Sequence, residues 1–171
     1  MPLPLVARVP SYARALCSLD EDEPSFSDES LPKVAGFTLT KHLGSGASCS
    51  DVFEASRTGD KAAVAIKLLA ASTSPNLAAC SLPRFMREAE LTCELSGHPN
   101  LCHGESWGAC KESGDYYLAM RLLRGQTLGQ LLQDSGRVDW RTASQLALDV
   151  AKALSHLYAH GVVHRDGVRQ G

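Results

Sequence analysis

No run of eighteen apolar residues occurs in the sequence, which argues against a membrane-spanning helix. No sign of charge prevails either. The formal net charge is -2, so the chain has no general attraction for nucleic acid. The imbalance lies at the start, where residues 1–35 carry six acids and three bases, and the remainder is nearly neutral. The six cysteines (Cys17, Cys49, Cys80, Cys93, Cys102 and Cys110) include no C-x-x-C pair, so a zinc site is not indicated. Their even number would allow three disulfides. No signal peptide is recognisable, however, and 44% hydrophobic residues suffice to attempt a core without covalent staples. Reduced thiols in an intracellular, cytoplasmic protein are the expectation. There is no G-x-x-x-x-G-K-[ST], which excludes a Walker-type loop.

What is present divides near residue 35. Residues 20–30 read DEDEPSFSDES, too acidic and too poor in apolar groups to offset the entropy of ordering. Residues 1–34 are read as a mostly disordered tail. Strand patterns follow at 37–43, 51–57 and 61–69, the last two joined through a turn at 58–60. In the third, Val64 and Ile66 fall on one face and Ala65 and Lys67 on the other. Small and polar residues make 70–80 a loop. Ser81 can cap a helix to about Leu95, on which Phe85, Glu88, Leu91 and Leu95 share a stripe. Strands are expected at 101–107 and 116–122, and a short helix capped by Thr127 runs to 133. Asp139 caps a long helix with Ala143, Leu146, Ala147, Val150, Leu154, Leu157 and Tyr158 at helical period. Gly161 ends it.

Three constellations carry chemistry. The segment LGSGASCSDVF (43–53) places small residues between two strands, where backbone N–H groups can approach a phosphate. The segment VAIK (64–67) puts a lysine inside an apolar strand, costly unless its charge has a partner. Glu88 on the next helix can supply one. The segment VVHRD (162–166) sets an aspartate behind a long helix, where it could orient a hydroxyl and accept its proton. Taken singly, these could be a glycine-rich hairpin, a snorkelling strand lysine and a solvated turn.

In this order and register the three resemble the protein kinase family, of the serine/threonine kind. The resemblance extends over residues 36–166. It includes RFMREAELTCELSGHPNL (84–101), similar to the family's regulatory helix and its His-Pro-Asn, and YYLAMRLLRGQTLGQLL (116–132), similar to its hinge region. The implied fold is α+β: an N-lobe (35–121) with a five-stranded antiparallel sheet and one helix, a hinge (121–125), and the first helices of an incomplete, mainly helical C-lobe (126–171). The implied ligand is ATP, with Mg2+ in the complete domain and a protein as phosphate acceptor. By position, Gly44 and Gly46, with the backbone of Ser45, Ala47, Ser48, Cys49 and Ser50, would cover the phosphates, and Leu43 would bind the nucleotide beside them. Val52 and Ala65 would flank the adenine, and Lys67 would hold phosphates while pairing with Glu88. Met120 would guard the back of the pocket, Arg121 and Leu123 would present hinge backbone, and Asp166 would be the catalytic aspartate.

The sequence departs from the family in two places. Cys49 stands where the third glycine belongs and Val52 comes one residue late, so either the loop bulges or Ser50 takes the glycine's role. After Asp166 come Gly167, Val168, Arg169, Gln170 and Gly171, without the metal-binding asparagine, D-F-G or A-P-E. The expectation is a kinase-domain fragment that binds nucleotide, does not phosphorylate protein, and leaves the long helix's apolar stripe exposed to a possible protein partner. The alternative is an inactive interaction module or a nonfunctional fragment.

Overall fold

The computed structural model describes residues 31–45, 50–71 and 75–164. Eight elements follow in order: β1 (Phe37–Ser45), β2 (Ser50–Arg57), β3 (Ala63–Leu69), α1 (Pro75–Glu94), β4 (Gly104–Ala109), β5 (Tyr116–Arg121), α2 (Leu128–Ser135) and α3 (Trp140–Ala159). The strands form one antiparallel sheet in the order β1-β2-β3-β5-β4. This is the five-stranded α+β architecture that the resemblance implies.

β3 lies at the centre of the sheet, and its alternation divides the core in two. Val64, Ile66 and Leu68 join Leu39, Phe53, Ala55 and Ala119 on one face. Ala65 and Leu69 join Phe85, Ala89, Leu118 and Met120 on the other, beneath α1. A strand covered on both faces must be apolar nearly throughout, which isolates Lys67 as its one charged residue. The first face is closed by residues assigned above to the tail. Val34 is buried and bridges to Phe37, and Leu31 packs beside it. Leu31 and Val34 are thus packed with the sheet.

The β2–β3 turn lies at 58–60, as expected, and is held by Asp60 and Lys61. The Asp60 carboxylate accepts the Ala62 N–H at 3.0 Å, and Lys61 takes φ 59°. That amide, followed by the Arg57 guanidinium, holds the Asp60 carboxyl below its ordinary range.

Two boundaries differ from expectation. α1 starts at Pro75, not Ser81, and carries Pro83 inside it. Proline suits a first helical turn, and the Leu and Ala residues after it favour helix, so the segment expected as loop is the helix's beginning. β4 runs 104–109 rather than 101–107. Leu101 and Cys102 instead lie in the connection packed toward α1, where Cys102 covers the second core cluster. Gly104 opens β4 where it meets α1: a Cβ there would lie 2.8 Å from backbone atoms of Thr92 and Cys93.

Both later helices start on the expected caps. Thr127 and Gln130 form a reciprocal capping box at α2. At α3 the Asp139 carboxylate accepts the Arg141 and Thr142 amides and the Thr142 hydroxyl, bonds that keep it below its usual range. α3 docks through Asn100, whose side chain donates to the Asp149 carbonyl at 2.8 Å. Beside it lie three imidazoles: His98 stacks on His156 (4.8 Å between centroids) and His160 lies tilted against His156 (4.4 Å). Desolvation, then the neighbouring His160 and His98, push the His156 pKa down. Ala153 is the one buried residue of α3, while Trp140, Leu148, Leu154 and Tyr158 are exposed. Most of the stripe is thus uncovered by the described residues. No helix of the described residues is long and apolar enough to cross a membrane.

Candidate nucleotide cleft

Lys67 is the structure's most confined charge. Its side chain is 1% exposed, yet its ammonium donates to both carboxylate oxygens of Glu88, at 2.6 and 2.7 Å. The sequence arranges this in two steps. β-Alternation turns Lys67 to the α1 face with Ala65 and Leu69, and helical spacing puts Glu88 three residues after Phe85 on the face that meets the sheet. The ring of Phe85 adds a face 5.8 Å from the ammonium. Such a pair survives desolvation only where its geometry is good, and here both oxygens are engaged.

Beside this pair lies a cleft of about 300 Å³ between the sheet and the segment leaving β5. Leu43, Gly44, Val52 and Ala65 line it from β1, β2 and β3, Leu118 and Met120 from β5, Leu123 from the segment after β5, and Glu88 from α1. Gly44 has φ 139° where β1 turns toward the connection to β2, a conformation that favours glycine. Arg121 lines the cleft too, but its N–H already bonds the His103 carbonyl at 2.9 Å. The backbone of Leu123 makes no hydrogen bond among the described residues.

The structure thus brings together Leu43, Gly44, Val52, Ala65, Glu88, Met120, Arg121 and Leu123 around the cleft, while Lys67 does not line it and is tied to it through Glu88. Ser45 does not join them: its hydroxyl is exposed and donates to Asp51 Oδ1 at 2.5 Å, because the ladder sets the two residues opposite one another. Ser50 opens β2 opposite Leu69, on the face shared by Val52 and Lys67. It is buried, and its hydroxyl has no hydrogen-bond partner among the described residues. Gly46, Ala47, Ser48, Cys49 and Asp166 lie outside the described residues.

Other cleft residues were not anticipated. Leu118 stands two before Met120, so strand period could have found it. Thr92 follows Glu88 by one helical turn and bonds its carbonyl at 2.7 Å, so helical period could have found it as well. Glu54 and Cys102 also line the cleft. Glu54, two residues after Val52, was within reach of strand period, whereas Cys102 comes from a connection whose path has no periodic signal. Burial raises the pKa of the nearby Cys93 thiol, which keeps it protonated and unreactive at neutral pH. Among the described residues no group of three or more His, Cys, Asp or Glu could hold a metal ion.

A five-stranded antiparallel sheet, one packed helix and a buried lysine–carboxylate pair facing a cleft define a kinase-type N-lobe. The protein kinase domain model matches residues 37–167, and the chain belongs to that family. The chain is 31% identical over 162 residues to human dual specificity testis-specific protein kinase 2, covering 94% of this chain and 25% of that protein. It is 29% identical over 137 residues to mouse dual specificity testis-specific protein kinase 1 (80% and 20%). It is 30% identical over 142 residues to the serine/threonine-protein kinase PknD of Mycobacterium tuberculosis (81% and 20%). The chain spans a fifth to a quarter of the length of these curated relatives. It is a partial protein kinase domain, and the interaction-module alternative is not favoured.

Proposed function

We propose that the cleft binds ATP and that, in the complete domain, the terminal phosphate passes to a serine or threonine hydroxyl of a protein. The observation that carries this is the Lys67–Glu88 pair, whose carboxylate partner lines the cleft. A buried ammonium fixed by a carboxylate that lines the cleft suits an anion bound there, and the apolar walls at Val52, Ala65 and Met120 suit a flat heteroaromatic ring. The residues fit an adenine nucleotide on two further counts: Leu123 offers an unengaged backbone edge, and Ser50 offers an unpartnered hydroxyl. Bound ATP supplies the phosphoryl group. The chain's own residues seat the ring, neutralise phosphate charge through Lys67, and hold Lys67 through Glu88. Asp166 would orient the acceptor hydroxyl and take its proton. The described residues contain no group of three or more His, Cys, Asp or Glu that could hold a metal ion. In the family, magnesium is held by residues following the catalytic aspartate.

Calorimetric titration of the full chain with ATP tests the reading. Saturable binding is expected, weakened at least tenfold by Lys67→Ala, which removes a charged hydrogen-bond donor to the ligand. An ATP affinity unchanged by that substitution would refute it.

A further inference from the structure

The segment that leaves β5 is held loosely by its own backbone. Residues 122–126 make no backbone–backbone hydrogen bond among the described residues. Gly125 takes φ 132°, where side chains are rarely accommodated, and nothing lies within 4 Å of its Cβ position. Such a stretch does not fix its own distance from the sheet. Yet Leu122, Leu123, Arg124 and Gly125 all line the cleft. A side chain ties the segment back. The Arg124 guanidinium donates to Glu54 Oε1 at 3.3 Å, across 70 positions of the chain.

Glu54 is a firm anchor for that bond. It stands in β2 opposite Lys41 and Ala65, and its carbonyl accepts the Thr40 hydroxyl at 3.1 Å. Its place in the ladder says which part of the cleft the pair serves. Glu54 shares with Val52 the β2 face that lines the cleft. The ladder aligns Glu54 with Ala65, and Ala65 with Met120. The ion pair therefore spans the cleft level with Ala65 and Met120, where the walls are apolar. Lys67 lies two residues further along β3, opposite Val52. The Arg124 side chain is 75% exposed and that of Glu54 27%, so the pair sits where the cleft meets solvent.

We propose that Arg124 and Glu54 are positioning residues for the base of the nucleotide: their ion pair tethers the segment after β5 to β2 and sets the width of the cleft around the ring. The proposal rests on the ATP reading of the cleft. A flat ring between two walls loses contact energy steeply as they part. A wall already tethered at the right spacing needs no ordering when the ligand arrives, and affinity rises accordingly. The effect is bounded by the strength of an exposed pair, a factor of about two to five, and salt screens it. Acting at the ring, it serves adenosine and ATP alike.

The test uses the full chain with Arg124→Ala, Glu54→Gln and both together. Adenosine carries no charge, so it isolates the contribution of the protein's own charges. Calorimetry measures adenosine and ATP affinities in low salt, and adenosine again in about 1 M salt, where the screening length falls to about 3 Å. In low salt Arg124→Ala is expected to weaken both ligands by one factor, about two to five. The double variant should bind no more weakly than Arg124→Ala, as for two partners of one bond. In high salt the adenosine gap between parent and Arg124→Ala should close. Melting temperatures without ligand should stay within about 2 °C of the parent, since an exposed pair adds little to the fold. Adenosine binding unchanged by Arg124→Ala would overturn the proposal. So would single losses that add in the double variant, or a gap that persists in high salt. A larger fall in melting temperature would make the pair a contact of the fold and overturn it too. In each of these cases parental ATP binding that depends on Lys67 leaves the ATP reading intact. Absence of ATP binding by the parent chain would remove both.

Discussion

Replacing Glu88 by alanine is expected to destabilise the folded chain by about 3 kcal/mol, the lower end of the range for breaking a buried ion pair. Lys67 stands in the central strand with 1% of its side chain exposed, and Glu88 occupies both of its near donor directions. Removing the carboxylate leaves an ammonium in a site walled by Leu118, Phe85 and Val52, where the Phe85 ring at 5.8 Å compensates only part of the lost attraction. The lower end applies because Glu88 is itself 27% exposed, so water enters on its side. The double replacement Lys67→Met with Glu88→Leu should cost less than Glu88→Ala alone, since two apolar groups carry no uncompensated charge. Urea unfolding of the three proteins measures both quantities. A Glu88→Ala loss under about 0.5 kcal/mol would show that the lysine finds water in solution.

Gly104→Ala is the second large effect expected, a loss of about 1–3 kcal/mol from overpacking. The added methyl carbon would meet the carbonyl carbon and oxygen of Thr92 and the nitrogen of Cys93, each at 2.8 Å. All three are backbone atoms, so no side chain can swing aside. Either β4 must withdraw from the sheet or α1 must lift. Because α1 carries Glu88, lifting it also lengthens the Lys67 pair, so nucleotide affinity should fall together with stability. Gly59→Ala is the matched control: nothing lies within 4 Å of its Cβ position, and a change within about 0.5 kcal/mol is expected. Equal melting temperatures for the two variants would refute the close approach of helix and strand.

The parts of the site that were legible in the sequence are those that obey a period. Strand alternation placed Lys67 and Ala65 on one side of β3 and Val64 and Ile66 on the other, and the two core clusters divide in that way. Helical spacing put Glu88 on the stripe with Phe85. Side-chain chemistry fixed the caps at Thr127 and Asp139. What escaped was set by tertiary contact. β4 begins three residues later than its apolar residues suggested, because Leu101 and Cys102 leave the strand pattern to pack toward α1. The start of α1 was hidden by the polarity of residues 72–76, where a helix-initiating proline reads equally well as a loop. The competing roles of Cys49 and Ser50 could not be separated from spacing alone; the pairing of Ser50 with Leu69 puts Ser50 two residues before Val52 on the face of the cleft. On α3 the apolar period was correct for a helix but silent about cover, since most of the stripe is exposed among the described residues.

The central claim is that Lys67 faces a bound adenine nucleotide. It is tested most directly by treating the full chain with an adenosine derivative that bears an amine-reactive sulfonyl fluoride in place of the phosphates, then locating the label by peptide mass spectrometry. The account predicts modification at Lys67, suppressed by ATP, although this lysine is buried while Lys41, Lys61, Lys111 and Lys152 are exposed. Label spread over the exposed lysines, sparing Lys67 and indifferent to ATP, would contradict it.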